Sequence, residues 1–294
     1  MLSELETGRF IITVEVVPPA GHDAAPLLSA LASLAPLPVD GFSVATNPVA
    51  KPRMSALALS ALIQQRTGRP AILHVTTRDH NRLSLQGLLW GARALGIETV
   101  LAATGDFVAL GDRASTTTVR DVDVFGLVPM AREAGLHTGV VLDPHPESDG
   151  FERAITRLER KVEAGAQFAV TQPVYDEASA RRLATATSHL PIPIILGILP
   201  LRTARHAEFL HHRVAGITVP GPVRQRMHSA ANPLAEGIAG ARAMLDIARQ
   251  LFSGACLMPP FDHYEVLFDL LPDAHRRPAS NAAAPSRPAR PDRR

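Results

Sequence analysis

Short runs of β-branched residues alternate with longer stretches in which apolar side chains recur every three or four positions, from Phe10 to Leu271. Compact apolar runs rich in valine and isoleucine predict buried strands. They fall at Ile11–Val17, Gly41–Ala45, Ala71–Thr76, Thr99–Ala103, Thr138–Leu142, Phe168–Gln172, Ile194–Leu199 and Ala255–Met258. The amphipathic stretches between them predict helices over Asp23–Ala35, Arg53–Gln65, Asn81–Leu95, Val122–Ala134, Gly150–Ala164, Glu177–Ser188 and Arg205–His211. A longer helix, Leu234–Ser253, precedes the last strand, and Glu265–Leu271 closes the set. "GITVP", Gly216 to Pro220, reads as a spare short strand or turn. Successive β–α units without an internal repeat predict an α/β fold, a single (β/α)8 TIM barrel over residues 1–272. An open doubly wound sheet is the alternative. Residues 273–294 are rich in Pro, Ala and Arg and predict a disordered tail.

One position breaks the apolar pattern of the first strand. In "FIITVEVVPP", Glu15 lies among Ile11, Ile12, Val14, Val16 and Val17. A buried carboxylate costs several kcal/mol unless it is paired or protonated. In a barrel the C-terminal strand ends form the active site, and other polar residues cluster at the matching ends. Strand two runs into Thr46 and Asn47, and strand three holds His74. Strand four ends in Thr104, Gly105 and Asp106, strand five leads to His145, and strand six carries Gln172. Each has an ordinary explanation: a satisfied core histidine, a helix-capping turn, a strand end, a surface loop. Lys161 in "LERKVEAGA" would ordinarily be a solvated helix residue. The weight lies in their convergence on one rim.

Composition narrows the chemistry. The 294 residues are 46% apolar and only 4% aromatic, which implies an aliphatic core. Net charge is +2, but the last nineteen residues carry +5, leaving the body at −3. The basic balance therefore belongs to the tail, and no nucleic-acid footprint is expected. A single cysteine, Cys256, excludes a disulfide framework or thiolate metal site. No apolar run is long enough to span a bilayer and the first ten residues lack a signal-peptide core, so a cytoplasmic protein without membrane association is expected. No Walker loop, dinucleotide G-x-G-x-x-G, G-x-S-x-G elbow or H-E-x-x-H occurs, and no metal site is expected.

The segments "VEVVPP", "NPVAKPRMSALAL", "LHVTTRDHNRLSLQGLLWGARALGIETVLAATGD", "RLERKVEAGAQFAVTQPVYD", "GILPL" and "LMPPFDHYE" run in order from about residue 10 to about residue 271. Together they resemble the methylenetetrahydrofolate reductase family, and most nearly the reductase half of bacterial fusions with homocysteine methyltransferase. The resemblance implies a flavoprotein (β/α)8 barrel. It would use FAD to interconvert 5,10-methylenetetrahydrofolate and 5-methyltetrahydrofolate, with NADH or NADPH as electron donor, in one-carbon and methionine metabolism or oxidatively in a demethylation pathway. By position, Glu15 matches the family's catalytic glutamate and Asp106 the catalytic aspartate near flavin and pterin. Gln172 matches the substrate-binding glutamine, with Glu15 and Asp106 also at the substrate. Asn47, His74, Thr104, Gly105, Asp106, His145 and Lys161 fall on positions like those of the cofactor-binding set. His263 stands where the family's "PPF-x-R-Y-E" has arginine, at the substrate.

Other departures are Ala45 for a common threonine, Thr104 for a common arginine, "TGDFV" for "TGDPP", and Leu210 near a phenylalanine that stacks on nicotinamide. Family analogy also implies a homo-oligomer and a redox or methyltransferase partner. The alternatives are a flavin-independent folate barrel, either a direct NAD(P)H reductase or a pterin methyltransferase, or a non-catalytic folate-binding partner subunit.

Overall fold

A computed structural model of the chain describes residues 8–108, 112, 115–144, 150–214 and 216–271. Eight parallel strands close into a barrel in sequence order. They are β1 Ile11–Val16, β2 Gly41–Val44, β3 Ala71–Thr76, β4 Thr99–Ala103, β5 His137–Leu142, β6 Phe168–Pro173, β7 Ile194–Ile198 and β8 Gly254–Leu257. The helices between them are α1 Ala25–Ser33, α2 Ala56–Thr67, α3 Arg82–Ala94, α4 Val124–Glu133, α5 Gly150–Glu163, α6 Glu177–Thr187, α7 Ala204–Arg213, α8 Gly221–Ser229 and α9 Pro233–Leu251, with α10 Val266–Leu270 after β8. The expected barrel is therefore present and the open sheet is excluded. The expected tail lies outside the described residues.

The helix starts follow from local chemistry. Ser55, Asn81, Asp123, Asp176, Thr203 and Asn232 each accept a backbone N–H of the first turn through the side chain. The pattern missed α8. "GPVRQRMHS" buries only Val223 and Met227, too short an apolar stripe to signal a helix, and its proline sits in the first turn, where no N–H is needed. "GITVP" is an irregular connection into that helix, not a strand.

Strand parity divides the core in two. Ile12, Val14, Val16, Phe42, Val44, Leu73 and Val75 face outward and pack with the helices. Ile11, Ile72, Leu101, Phe168, Val170, Ile195, Cys256 and Met258 fill the barrel. Gly139 makes room for the largest of them: a Cβ there would sit 2.2 Å from the Phe168 ring. Phe168 is fully buried and has nowhere to retreat. Gly139→Ala is expected to lower unfolding free energy by about 1–3 kcal/mol in urea titrations, the usual cost of overpacking. An unchanged midpoint would refute this packing.

Candidate active site

The parity that sends Val14 and Val16 to the helices turns Glu15 into the barrel mouth. Its neighbour across the β1–β2 pairing is Ser43, with Cys256 facing Thr13 from β8 one layer below. Burial, reinforced by the negative charge of Asp106, raises the Glu15 pKa from 4.5 to about 7. The polar groups around it are mutually bonded. The Ser43 hydroxyl lies 2.7 Å from His74 Nε2, and the Cys256 thiol is bonded to Thr13 and Ser43. Burial drives His74 down to about 4 and Cys256 up to about 12, so both are neutral near pH 7. Glu15 thus lies over a floor without counter-charge.

Asp106 belongs to the loop after β4. Gly105 before it takes φ 87°, and a Cβ there would come within 3.2 Å of Thr76 and Arg78, so the turn requires glycine. One Asp106 carboxylate oxygen accepts the Val49 N–H at 2.5 Å. Val49 is itself strained, with φ 49° in a short turn where Asn47 and Ala50 also have positive φ. Arg78 ties these loops together. Its guanidinium donates to the Asp106 carbonyl at 3.0 Å and the Asn47 carbonyl at 3.1 Å, and pairs with Asp79 at 2.6 Å. Burial opposes the Asp79 charge, but bonds from Arg78, Asn47 and Thr76 outweigh it and hold the carboxyl below its ordinary range.

A cavity of about 810 Å³ opens beside Asp106. Arg78, Thr104, Gly105, Asp106, Arg120 and Arg157 are among its lining residues, with the threonines Thr116, Thr117 and Thr118. Lys161 lies on α5 one turn from Arg157 and is buried rather than solvated. Its Nζ donates to the Val141 carbonyl at 2.6 Å, and burial with repulsion from Arg157 lowers its pKa to about 8. Across the mouth, Gln172 shares the inward parity of Phe168 and Val170 near a bulge in β6. His263 follows β8 with Nδ1 at 2.5 Å from Glu265. Tyr264 is buried beside it, bonded to Asp262 and to the backbone of Val17 just past Glu15.

Glu15, His74, Asn47, Thr104, Gly105, Asp106 and Gln172 therefore share the C-terminal end of the barrel, with Lys161 beneath the β5 edge and His263 on the β8 side. His145 lies outside the described residues. Sequence reading missed Ser43, Arg78 and Tyr264. Ser43 is a polar inward residue in an apolar strand, a signal of the same kind as Glu15. "RDH" resembles any charged loop and gives no such signal. Among the described residues, no cluster could hold a metal ion and no helix is long and apolar enough to cross a membrane.

The family model for methylenetetrahydrofolate reductase matches residues 1–258. The chain belongs to the methylenetetrahydrofolate reductase family. Among its relatives is the 5,10-methylenetetrahydrofolate reductase of Pectobacterium carotovorum subsp. carotovorum, 26% identical over 213 residues, or 70% of this chain and 69% of that one. The enzyme of the same name from Salmonella typhimurium is 28% identical over 148 residues, and the match spans only 49% of its length. Among solved structures, a Clostridium thermocellum protein described as binding two copies of 5-methyl-5,6,7,8-tetrahydrofolic acid superposes with TM-score 0.69 at 12% identity, covering 93% of this chain and 99% of that one. Oxaloacetate acetylhydrolase, bound to 3,3-difluorooxalacetate, superposes with TM-score 0.54 at 12% identity, over 91% and 81% of the two chains. Likeness at that level establishes the barrel and no more.

The raised Glu15 pKa makes a thermodynamic prediction. A folded-state pKa above the unfolded value favours folding below the unfolded pKa and loses that contribution as pH rises through the folded one. Glu15→Gln is therefore expected to gain stability relative to wild type progressively between pH 4.5 and 7, reaching on the order of 3 kcal/mol in urea titrations, with a plateau above. A difference independent of pH would contradict the burial of this carboxyl.

Proposed function

We propose that the protein is an FAD-dependent methylenetetrahydrofolate reductase that interconverts 5,10-methylenetetrahydrofolate and 5-methyltetrahydrofolate, with NADH or NADPH as electron donor. The observation that carries this reading is the pairing at the mouth: Glu15, protonated up to about pH 7, opposite Asp106.

The two carboxyls divide the work. The imidazolidine ring of methylenetetrahydrofolate has to open before its one-carbon unit accepts hydride, and opening requires a proton at N10. Glu15 in its neutral form donates that proton. Ring opening leaves a 5-iminium cation, and a carboxylate on Asp106 at the rim stabilises the charge. Gln172 offers an amide, with both donor and acceptor capacity, to the edge of the pterin. In the reverse direction the same Glu15, ionised, accepts the N10 proton, so these residues serve both directions.

The lining of the large cavity suits FAD. Its volume is that of a typical cofactor site. Arg120 and Arg157 would meet the dianionic diphosphate, with threonine hydroxyls beside them, while Arg78, held by Asp79 and two loop carbonyls, would form the wall. Gly105 would allow close approach of a flat ring to the backbone. FAD, when bound, supplies the hydride chemistry. The protein's part is to orient it and to manage the proton at N10.

Anaerobic spectroscopy tests this reading. The protein with FAD added is expected to retain the visible flavin band, lose it on addition of NADH or NADPH, and recover it with methylenetetrahydrofolate. Glu15→Gln is expected to keep the flavin but recover the band at least ~100-fold more slowly, the usual contribution of a general acid. Failure to hold FAD, or wild-type recovery in the variant, would overturn the reading.

A further inference from the structure

The side of α3 that faces away from the barrel is apolar along its length. Leu85, Leu89 and Ala92 are buried against the core. At about 100° per residue, the opposite side of the helix carries Leu83, Gly87, Trp90 and Ala94. All four are exposed, Leu83 to 83% and Trp90, the chain's single tryptophan, to 63%. The spacing i, i+4, i+7, i+11 is that of a helix face packed against something. Together these residues expose roughly 400 Å² of contiguous apolar surface, a size that marks an association site more often than scattered exposure does.

Gly87 answers to no contact among the described residues. Glycine inside a helix is unfavourable relative to alanine, yet a Cβ at this position would meet nothing within 4 Å. Gly91, one turn on, differs: a Cβ there would touch Leu57 at 3.6 Å. Gly87 leaves a hollow between Leu83 and Trp90, and a long side chain on a helix leans over the turn N-terminal to it. Opposite charges flank the stripe at its two ends. Asp121 stands at the start of α3, where it accepts the Arg82 N–H at 3.3 Å. Arg93 stands in the last turn. Both lie on the side of α3 next to α4: Asp121 precedes that helix, and a Cβ on Gly135 just after it would lie 3.7 Å from Arg93 Nε.

We propose that this face of α3 is where two copies of the chain associate, helix against antiparallel helix about a two-fold axis. Such an axis reverses the helix direction and keeps the α4 sides together. Arg93 then meets the partner's Asp121, and Asp121 the partner's Arg93. The midpoint of Leu83 and Trp90 falls beside Gly87, so each leucine faces the partner's Trp90 and the hollows at Gly87 receive the indoles. A parallel pairing brings neither charge pair to one level. Face to face, the two patches remove about 800 Å² of apolar surface, and with the flanking polar residues the contact reaches the ~1,000 Å² that a specific interface clears. That is the scale of a weak, reversible homodimer.

The test is sedimentation velocity of the full chain, with FAD added, over a range of protein concentrations, with tryptophan emission read in parallel. Wild type is expected to pass from monomer to dimer with a dissociation constant on the order of 10 μM. Its emission maximum is expected to move to shorter wavelength as Trp90 leaves water. Gly87→Gln, which the monomer accommodates in open space, is expected to weaken association at least about tenfold and to keep the long-wavelength emission at every concentration. Trp90→Ser is expected to weaken association by a similar factor. Arg93→Glu and Asp121→Arg are each expected to weaken it, and the two together to restore it. A wild type that stays monomeric well above that constant, or a dimer that both Gly87→Gln and Trp90→Ser leave unchanged, would overturn the proposal. A charge-reversed double variant no better than the single ones would overturn the antiparallel arrangement.

Discussion

The alternation of side chains along β1 places one carboxyl inside the barrel mouth, and the arrangement of the site depends on it. Val14 and Val16 satisfy the helix layer, so Glu15 faces inward by geometric necessity. There it meets neutral neighbours below and Asp106 above. Desolvation is the larger influence and the facing charge adds to it. The two carboxyls have different settings: one is enclosed and holds its proton near neutral pH, the other stands at the open rim. Shifting the register of β1 by one residue would put Glu15 among the helices and a valine in the mouth.

Around this pair the loops divide the mouth. On the β3–β4 side, Arg78 bonds carbonyls from two loops and an adjacent aspartate, giving a rigid wall for the large cavity. On the β7–β8 side, a strained turn presents the exposed Phe261 ring against the neutral His206. The left-handed residues at Asn47, Val49 and Ala50 on one side, and at Phe261 and Asp262 on the other, lie in loops at the mouth and outside the strands. Such strain requires support, and in each case a polar side chain gives it: Asp106 for Val49, Tyr264 for Asp262. Apart from the bulge in β6 the barrel is regular, and what distinguishes the mouth lies in these supported loops.

Much of this was legible in the sequence, for reasons that can be named. The strands are buried on both faces and therefore read as continuous β-branched runs. Glu15 stood out because a charge in such a run needs a reason. The boundaries of the helices were recoverable where Ser, Thr, Asn or Asp capped them. What escaped depended on distance in the chain. Ser43 and His74 are 31 residues apart and meet only through closure of the barrel. Arg78 looked like a surface charge, yet it is buried by loops that no local pattern brings together. Lys161 has an ordinary helix sequence around it, and its burial follows from packing against β5. The helix α8 gave too short a stripe to be seen.

The central claim is that the Glu15 carboxyl remains protonated near neutral pH because it is enclosed and faces Asp106. Carbon-detected NMR of protein labelled at the glutamate side-chain carboxyl, with the Glu15 resonance identified by its loss in Glu15→Gln, measures this directly. The account expects a titration midpoint near 7, moving down when Asp106→Asn removes the facing charge. A midpoint at the ordinary value of 4.5, unmoved by that substitution, would contradict it.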